Sequence, residues 1–540
     1  MSAPTVRDHL LARRGDRSPG LLAGDRTWTW DEVVAASAVR AAVVADLLAP
    51  DRPPHVGVLL DNVPEHLLLL GGAALGGYVV VGLNPTRRGP ALAADVARSD
   101  CQVVVTDAAH LRLLDCLDYP DTPDTPDTPK VRVPVLLVDG DDWAGRLRRH
   151  HGASVPDADV RPDTLLMLIF TSGTSGEPKA VNVTHAKVAG PGVLLAERFG
   201  LTTDDVAYVA MPLFHSNAVM AGWAPALAAG AAVALAPRFS ASGFLPDVRR
   251  YGATYANYVG KPLAHVLATP AAPDDADNPL RLVFGNEANE RDIAAFGERF
   301  GCTVVDSYSS TENAVIVQRV PGMPPGSLGR PLPGVKVLDP VTTAETPDAR
   351  FGPGGELLNA DEATGELVNT TGAGAFAGYY RDPDAEAERM RGGMYWSGDL
   401  AYRDAEGFVY FAGRTSEWLR VDGENLGAAT VERVLLRHPA VSEAAVYAVP
   451  DPSSGDMVVA ALFTTAPLAP EELERFLDEQ PDLSTKGRPR WVRLLDTLPR
   501  TATTKVLKGE LAAEGVTGRG GTLWERDERG TAYREVLDRL

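Results

Sequence analysis

The residues with the clearest chemical potential lie together between Phe170 and Ala180. This stretch holds four hydroxyl groups, two glycines and one lysine, and it directly follows an apolar run, Leu165 to Phe170. The run has the length and composition of a buried strand. Glycines allow backbone N–H groups to turn toward an anion that the hydroxyls and the lysine can also reach. A phosphate-holding loop is therefore predicted for Phe170-Thr171-Ser172-Gly173-Thr174-Ser175-Gly176-Glu177-Pro178-Lys179-Ala180.

Two common loops with similar composition do not fit this stretch. A Walker loop needs Gly-Lys-Ser/Thr at the start of a helix, but Pro178 stands where that glycine belongs and biases Glu177 toward an extended conformation. A hydrolase nucleophile elbow needs Gly-x-Ser-x-Gly, and the order from Gly173 to Gly176 is one residue short. A surface linker of serine, threonine and glycine is the simplest alternative. The position of the loop between an apolar run and a second β-rich segment, Ala180 to Val183, argues against a linker.

The whole chain has 540 residues, a formal net charge of −20 and 45% hydrophobic residues. This composition is typical of a soluble globular protein with several structural units. The negative charge argues against nucleic-acid binding and gives no reason to expect attachment to an anionic membrane. Cys101, Cys116 and Cys302 lack the spacing of a disulfide framework or a zinc site, and the N-terminus lacks a secretory signal. We expect a cytoplasmic protein, and the sequence leaves a homodimer open.

The pattern of apolar residues predicts an α/β fold. Helical and strand-like segments alternate from about residue 25 to 140 and again after the phosphate loop, which is typical of helix-covered, mainly parallel sheets. The most apolar run, Leu67 to Leu83, is about one turn short of a membrane-spanning helix. It is interpreted as a buried helix followed by a strand, Tyr78 to Leu83. A further helix is predicted for Ala218 to Ala229, and the small-residue segment Ala218 to Ala236 could leave room for a bulky ligand.

The second half of the chain changes character. From Gly326 to Tyr410, frequent glycine and proline predict short strands in a small barrel-like β region, and Gly372, Gly374 and Gly378 are interpreted as turns. A small, mobile α+β domain follows, with a weakly patterned tail after residue 509. We therefore predict a large N-terminal domain at 1–412, a hinge at 413–419 and a C-terminal domain at 420–540. The Asp-Thr-Pro repeats between Asp118 and Lys130 are interpreted as an exposed spacer.

The phosphate loop resembles the signature of the adenylate-forming superfamily, which includes acyl-CoA synthetases, luciferases and peptide-synthetase adenylation domains. One such loop could be a coincidence, but four further matches follow in the order of the family and extend the resemblance over essentially the full chain. These matches are Tyr308-Ser309-Ser310-Thr311-Glu312, Tyr395-Trp396-Ser397-Gly398-Asp399, Gly413-Arg414 leading to Asp422-Gly423-Glu424-Asn425, and Pro499-Arg500-Thr501 leading to Lys505.

The resemblance implies ATP-dependent activation of a carboxylic acid. The carboxylate attacks the α-phosphate of ATP and gives an acyl-adenylate and pyrophosphate, so the site must bring two anions together. Glu312 would bind Mg²⁺, which favours carboxylate oxygen and bridges phosphates. Thr311 would bind the α-phosphate, and Tyr308, followed by Ser309 and Ser310, would stack on adenine. The β- and γ-phosphates would be held by the loop residues Thr171, Ser172, Gly173, Thr174, Ser175, Gly176 and Lys179.

Four residues further along the chain are implied to complete the reaction. Asp399 would accept hydrogen bonds from the ribose hydroxyls, and Arg414 would share the ribose and mark the hinge. Lys505 would bridge the attacking carboxylate and the α-phosphate, where it would neutralise charge that grows in the transition state. After rotation about the hinge, Lys505 would withdraw, and the loop from Val421 to Leu426, which contains Gly423, would face a pantetheine tunnel.

Two further segments resemble family motifs. His215 follows Phe214 in the segment that begins at Met211, and it is either part of the acyl site or a structural histidine. Gly285, Asn286 and Glu287 resemble the adenine loop, in which the glycine would permit close approach of the backbone to the base. Some positions depart from the commonest family pattern without removing a group that the chemistry requires, namely Ala180, Ser309, Asn313, Ser416 and Thr504.

The acceptor and the acid are less clearly indicated. No Leu-Gly-Gly-x-Ser carrier signature follows the small domain, which favours a freestanding ligase that uses coenzyme A. Transfer to the phosphopantetheine of a separate carrier protein, or a single half-reaction, stays open. The segments around Met211, Gly285 and Glu417 look most like those of bacterial fatty-acyl and sterol-side-chain CoA ligases. A bulky hydrophobic carboxylic acid of the fatty, steroid or polycyclic terpenoid class is therefore expected as substrate.

Overall fold

Short valine- and leucine-rich runs form the strands of this protein in a computed structural model. The structure describes residues 3–117, 133–171, 178–288, 290–352, 357–414, 418–421, 424–451, 455–480, 483, 486–500, 506–516, 521–527 and 530–536. The chain divides into two compact units. The first comprises Met1–Asn313 and Ala375–Ala387, and the second comprises Ala314–Gly374 and Glu388–Leu540. The domain limits predicted around the hinge at 413–419 remain a prediction, and the Asp-Thr-Pro spacer lies outside the described residues.

The first unit contains two sheets that are parallel except at one edge of each. Their strands are β1 Pro19–Ala23, β2 Arg26–Thr29, β3 His55–Leu59, β4 Val79–Gly82, β5 Val103–Thr106, β6 Val135–Leu137, β7 Leu165–Thr171, β8 Lys179–Thr184, β9 Val206–Val209, β10 Ala232–Leu235, β11 Tyr255–Val259, β12 Leu282–Asn286 and β13 Thr303–Tyr308. One sheet contains the order β13-β12-β11-β9-β10-β1-β2, and the other has the order β6-β5-β3-β4-β7-β8. The antiparallel pairs are β1 with β2 and β7 with β8.

Helices cover these sheets, as the alternating pattern predicts. They are α1 Val6–Leu11, α2 Trp30–Ala45, α3 Pro64–Gly76, α4 Gly89–Arg98, α5 Asp141–Arg149, α6 His185–Phe199, α7 Ala224–Ala229, α8 Phe244–Tyr251, α9 Pro262–Leu267 and α10 Glu290–Phe300. A short 3₁₀ helix spans Leu111–Leu117. The side chain of Thr184 accepts the N–H of Lys187 and caps α6, and Gly200 ends that helix in the left-handed conformation.

The apolar run from Leu67 to Leu83 has the predicted arrangement. Its leucines lie in the buried helix α3, Gly77 ends the helix at a φ of 77°, and β4 follows. Pro64 stands in the first turn, where its missing N–H costs nothing. In the described part of the chain, no helix is long and apolar enough to cross a membrane.

The helix predicted from Ala218 to Ala229 is present, but its two halves differ in geometry. Asn217–Trp223 is a π-helix, and α-helical geometry begins only at Ala224. Pro225 has no N–H to offer the carbonyl of Ala221, and that carbonyl instead accepts the hydroxyl of Tyr255 at 2.5 Å. Small residues of this region allow close packing between neighbouring elements. Gly192 of α6, for example, lies so near the backbone of Ala224 that a side chain would collide with it.

The second unit is built mainly from antiparallel strands. They are β14 Val317–Gln318, β15 Arg330–Pro331, β16 Val335–Leu338, β17 Gly365–Asn369, β18 Met390–Arg391, β19 Met394–Arg403 and β20 Val409–Arg414. Short helices α11 Ala360–Ala363 and α12 Pro383–Arg389 lie between them in the chain, and α12 crosses from the first unit into the second. Strand β19 pairs with β17, β18 and β20, and is the centre of this distorted sheet.

The rest of the second unit forms an α+β region around another sheet. Its strands are β21 Trp418–Val421, β22 Glu424–Gly427, β23 Val441–Asp451, β24 Gly455–Thr464, β25 Trp491–Leu494, β26 Thr522–Arg526 and β27 Tyr533–Glu535. Its helices are α13 Ala428–Leu435, α14 Pro470–Asp478 and α15 Lys508–Glu514. In the weakly patterned tail, β26 and β27 extend the sheet and bury Trp524 and Tyr533.

Candidate active site

The two ends of the predicted phosphate loop are held by paired strands. Thr171 ends β7, Lys179 begins β8, and the two residues are direct partners in the antiparallel register. Lys179 is only 6% exposed, so its ammonium is held in a largely desolvated position. The residues between them that were predicted to bind phosphate, Ser172, Gly173, Thr174, Ser175 and Gly176, lie outside the described residues.

Thr311 and Glu312 follow strand β13 and are both buried. Their exposed fractions are 7% and 8%. The hydroxyl of Thr311 lies 3.1 Å from the hydroxyl of Ser216, and the two form a hydrogen bond. Oε1 of Glu312 accepts the hydroxyl of Tyr379 at 2.8 Å. The structure thus places the predicted α-phosphate and Mg²⁺ ligands in a fixed turn at the carboxyl end of a parallel sheet, where α/β proteins commonly bind ligands.

Two departures from the family pattern are partners in this turn. Ser309 donates its hydroxyl to Oδ1 of Asn313 at 2.9 Å, and the N–H of Asn313 donates to the carbonyl of Ser310 at 3.0 Å. Asn313 has a φ of 54°, a left-handed conformation that asparagine tolerates better than most residues. The pair closes the loop that carries Thr311 and Glu312.

Tyr379 belongs to a short extended segment that pairs with the edge of β8. Tyr379 bridges to Val181, and the N–H of Tyr380 donates to the carbonyl of Ala180 at 2.8 Å. The ammonium of Lys179 lies 5.5 Å from the centre of the Tyr379 ring, within the range of a cation–π contact. Gly378, interpreted from the sequence as a turn, accepts the N–H of Asn182 at 3.1 Å in the same segment. The sequence analysis missed Tyr379, although the aromatic pair after this glycine is a usable signal.

Lys187 is a second buried lysine that the sequence analysis missed. It lies in the first turn of α6, is 3% exposed, and donates from Nζ to the carbonyl of Asn182 at 3.3 Å. Burial lowers the pKa of Lys187 to about 8, and the negative charge of Glu312 acts in the opposite direction. A lysine in a helical pattern gives no sequence signal of this kind, because its burial depends on the packing of α6.

The predicted adenine loop lies where β12 and β13 end side by side. Gly285 pairs with Asp306, and the amide of Asn286 donates to the carbonyl of Ser307 at 2.5 Å. Glycine is required at 285 because a Cβ there would overlap the carbonyl oxygen of Tyr258, so the packing of the sheet explains this residue without a bound base. Glu287 adopts a φ of 70°, and Tyr308 ends β13.

Asp306 ties these strand ends together and was also missed. Its Oδ2 accepts the hydroxyl of Tyr258 at 2.6 Å and the N–H of Ala288 at 3.0 Å. The carboxylate therefore links strands β11 and β13 to the loop after β12. The residue stands two positions before Tyr308, inside a strand, and nothing in the sequence distinguishes it from a partly exposed strand residue.

His215 lies in the turn that leads into the π-helix. Its Nδ1 is 3.5 Å from the N–H of Asn217, and its own N–H donates to the carbonyl of Pro212 at 2.9 Å. The next residue, Ser216, is the partner of Thr311. Asn217 is fixed by Asn257 and by the carbonyl of Tyr258. The turn brings His215 into the neighbourhood of the Thr311 loop, and an acyl-site role for His215 remains a prediction.

In the second unit, Asp399 and Arg414 form an ion pair on neighbouring strands. They are register partners in β19 and β20, and Nε of Arg414 is 3.2 Å from Oδ1 of Asp399. Gly423 and Lys505 lie outside the described residues. Gly423 stands between the paired strands β21 and β22, and Lys505 stands between Arg500 and Val506, which form an isolated bridge.

The chemistry of Glu312 fits a magnesium ion that is held mainly by its substrate. Mg²⁺ is commonly bound by one or two carboxylates together with phosphate oxygens and water, and seldom by a cage of protein ligands alone. Among the described residues, no group of three or more histidine, cysteine, aspartate and glutamate side chains could hold a metal ion. A single buried carboxylate of this kind would suit a cation that arrives with ATP.

Comparison with known proteins identifies the family of this chain. Residues 10–380 match the AMP-binding enzyme family, and residues 430–505 match the C-terminal domain of AMP-binding enzymes. The chain belongs to the AMP-binding enzyme family. The resemblance to the adenylate-forming superfamily is thereby confirmed.

Two relatives of this AMP-binding enzyme match it over nearly their full length. It is 51% identical over 522 residues to a medium/long-chain-fatty-acid–CoA ligase of Mycobacterium marinum, covering 96% of this chain and 97% of that one. It is 48% identical over 511 residues to the steroid-22-oyl-CoA synthetase of Rhodococcus jostii, covering 94% and 90% respectively. These comparisons confirm the predicted enzyme class, an AMP-forming acid–thiol ligase.

Solved structures confirm the predicted α/β fold. The ATP-bound MatB of Rhodopseudomonas palustris superposes with a TM-score of 0.81 at 23% identity and covers 95% of this chain and 99% of its own. The o-succinylbenzoate CoA synthetase of Bacillus subtilis, in complex with its acyl-adenylate, superposes with a TM-score of 0.75 at 25% identity and covers 96% and 99% respectively.

Proposed function

We propose that this AMP-binding enzyme is an ATP-dependent acyl-CoA ligase for a bulky hydrophobic carboxylic acid. In the first half-reaction the acid attacks the α-phosphate of ATP and releases pyrophosphate. In the second, the thiol of coenzyme A attacks the acyl-adenylate and releases AMP. The observation that carries the proposal is the grouping of the Thr311 hydroxyl, the Glu312 carboxylate and the Lys179 ammonium around Tyr379 and Ser216 in the first unit.

Each member of this group has a role that its surroundings support. The buried ammonium of Lys179 attracts the phosphates that leave as pyrophosphate, and low exposure strengthens that attraction. Thr311 is oriented by Ser216 and offers its hydroxyl to the α-phosphate. Glu312 would hold Mg²⁺, which supplies charge neutralisation of the phosphates when it is bound. In the second unit, Arg414 orients the carboxylate of Asp399 to accept the ribose hydroxyls.

The class of acid is proposed from the relatives. The two relatives described above are named for medium- or long-chain fatty acids and for a steroid acid, and both acids are hydrophobic and large. A polycyclic terpenoid acid has the same character. The acceptor proposed is coenzyme A, since both relatives are named as CoA ligases or synthetases. Transfer to a carrier protein is the alternative that the experiment must separate.

A panel of acids tests the proposal directly. Pyrophosphate release is measured with fatty, aromatic, steroid and diterpenoid acids, each with ATP and Mg²⁺, and with coenzyme A, a pantetheinylated carrier protein or no acceptor. We expect release with the large hydrophobic acids, faster turnover with coenzyme A, and an acyl-CoA product detected by mass. Release that is stimulated only by the carrier protein would contradict the proposed acceptor, and release with small or aromatic acids alone would contradict the acid class.

A further inference from the structure

We propose that Tyr379 is a positioning residue for the magnesium-binding carboxylate. Its phenol would hold one oxygen of Glu312 in place, so that the carboxylate is already oriented when Mg²⁺ arrives with ATP. This inference rests on the proposed function, because it assumes that Glu312 meets a magnesium ion. Tyr379 lies 67 positions after Glu312 in the chain. It belongs to none of the predicted phosphate or adenine motifs.

The contact between Tyr379 and Glu312 is short and shielded from water. The hydroxyl of Tyr379 donates to Oε1 of Glu312 at 2.8 Å, and the two residues are 4% and 8% exposed. A hydrogen bond to an ionised carboxylate is stronger than one between neutral groups. In a buried site it also fixes the rotation of the carboxylate, because few waters compete for the oxygen. One oxygen is thereby committed to the phenol.

The backbone holds Tyr379 independently of its side chain. Residues 378–380 pair with β8, through the bonds from Asn182 to Gly378 and from Tyr380 to Ala180. Strand β8 begins at Lys179, whose ammonium lies 5.5 Å from the Tyr379 ring centre. A single aromatic side chain thus contacts the predicted phosphate lysine with its face and the predicted metal carboxylate with its hydroxyl. Partners that orient a metal ligand typically change metal affinity by about 10- to 100-fold when they are removed.

The neighbouring residue provides a matched control. Tyr380 also donates its phenol to a carboxylate at 2.8 Å, that of Asp100, and it lies in the same extended segment. Tyr379→Phe and Tyr380→Phe therefore remove the same kind of hydrogen bond from the same segment. Both keep the aromatic ring, and Tyr379→Phe keeps the ring that faces Lys179. Only the first change touches Glu312.

The experiment measures ATP binding by calorimetry in the absence of acid and acceptor, so that no reaction occurs. Each protein is titrated with ATP in Mg²⁺ and in EDTA, and the ratio of the two dissociation constants reports how strongly the cation and ATP support each other. We expect Tyr379→Phe to reduce this ratio by about tenfold relative to the wild type. Binding in EDTA and the midpoint of thermal unfolding should stay close to those of Tyr380→Phe.

A double variant tests the path through Glu312. In a Glu312→Gln background the carboxylate is gone, so Tyr379→Phe should cause no further loss in the ratio. An equal reduction in Tyr379→Phe and Tyr380→Phe would overturn the inference and leave the proposed function standing. A full additional loss in the Glu312→Gln background would overturn it as well. If the wild type itself shows no effect of Mg²⁺ on ATP binding, the proposed function fails together with the inference.

Discussion

Nε of Arg414 lies 3.2 Å from Oδ1 of Asp399, and the two residues stand opposite each other on antiparallel strands. Asp399 is 8% exposed, so the arginine compensates a carboxylate that has lost most of its water. A carboxylate held in this way is a good acceptor for hydroxyl groups of a ligand. We propose that this ligand is the ribose of ATP, as the family resemblance implies.

Asp399→Ala should therefore remove the preference for ribose hydroxyls. We expect the wild type to use ATP far better than 2′,3′-dideoxy-ATP, and the variant to lose about 10- to 100-fold of that preference in kcat/KM, as expected for hydrogen bonds to a charged group. The measurement is pyrophosphate release with each nucleotide at saturating acid. A variant that still prefers ATP by the wild-type ratio would place the ribose elsewhere.

Lys505→Ala should separate the two half-reactions. The lysine is assigned to charge that develops as the carboxylate attacks ATP, and thiol attack on the finished adenylate does not need it. We expect acid-dependent pyrophosphate release to fall by at least about 100-fold, as when a single charge-stabilising donor is lost. Acyl-CoA formation from synthetic acyl-adenylate should change little. Equal loss in both assays would refute the assigned role.

Ser309 and Asn313 should act as one unit. Removing the Ser309 donor or the Asn313 acceptor loosens the same loop, so Ser309→Ala and Asn313→Gly should each lower kcat/KM for ATP by about 2- to 12-fold, the equivalent of one ordinary hydrogen bond. Glycine is chosen at 313 because it accepts the φ of 54°.

The double variant Ser309→Ala/Asn313→Gly checks this pairing. It should be no worse than the weaker single variant, since the second change removes a bond that is already broken. Asn313→Ala provides a further comparison, because it adds the strain of a left-handed alanine and should be poorer than Asn313→Gly. Effects that multiply fully in the double variant would show that the two residues act independently.

His185 should make the fold sensitive to acid. Its ring is fully buried at the start of α6, and neither ring nitrogen has a hydrogen-bond partner among the described residues. Burial lowers the pKa of His185 to about 4, although the nearby charge of Asp8 acts in the opposite direction. The unfolded chain has a histidine pKa near 6.5, so it gains a proton between about pH 6.5 and 4 that the folded protein does not. Stability from this group is therefore lost as the pH falls through that window.

His185→Met should flatten this dependence. We expect urea unfolding at pH 7 and pH 5 to differ less in the variant, by up to about 2 kcal/mol, because one proton contributes about 1.4 kcal/mol per pH unit. His151→Gln, at an exposed position, serves as the control and should keep the wild-type difference. An unchanged acid dependence in His185→Met would assign the proton uptake to other groups.

The sequence predicts those parts of the molecule that depend on local pattern. The most apolar run was predicted to be a helix followed by a strand, and it forms α3 and β4. The loop between β7 and β8 and the turn after β13 were located because motif residues follow directly on apolar strands. These features can be predicted from residues that are adjacent in the sequence.

The parts that sequence analysis missed depend on distant contacts. Tyr379 matters because the segment 378–380 pairs with β8, and Asp306 matters because Tyr258 reaches it from another strand. The π-helix follows from Pro225 together with the hydroxyl of Tyr255, which satisfies a carbonyl that an α-helix would have used. The partners that give these residues their roles are distant in the sequence, so the aromatic pair at Tyr379 and Tyr380 or the proline at 225 could flag a position but could not identify its contacts.

The position of Tyr379 in the chain also determines when its hydrogen bond to Glu312 can form during protein synthesis. Glu312 leaves the ribosome 67 residues before Tyr379, and the edge of β8 that receives the segment leaves earlier still. At a translation rate of about 5 to 20 residues per second, Tyr379 is synthesised roughly 3 to 13 s after Glu312. A nascent chain that stops at Asn313 therefore contains strand β8 and Glu312, but it lacks Tyr379, which contacts both. A chain truncated after Asn313 should therefore lack the hydrogen bond that holds Glu312 in place.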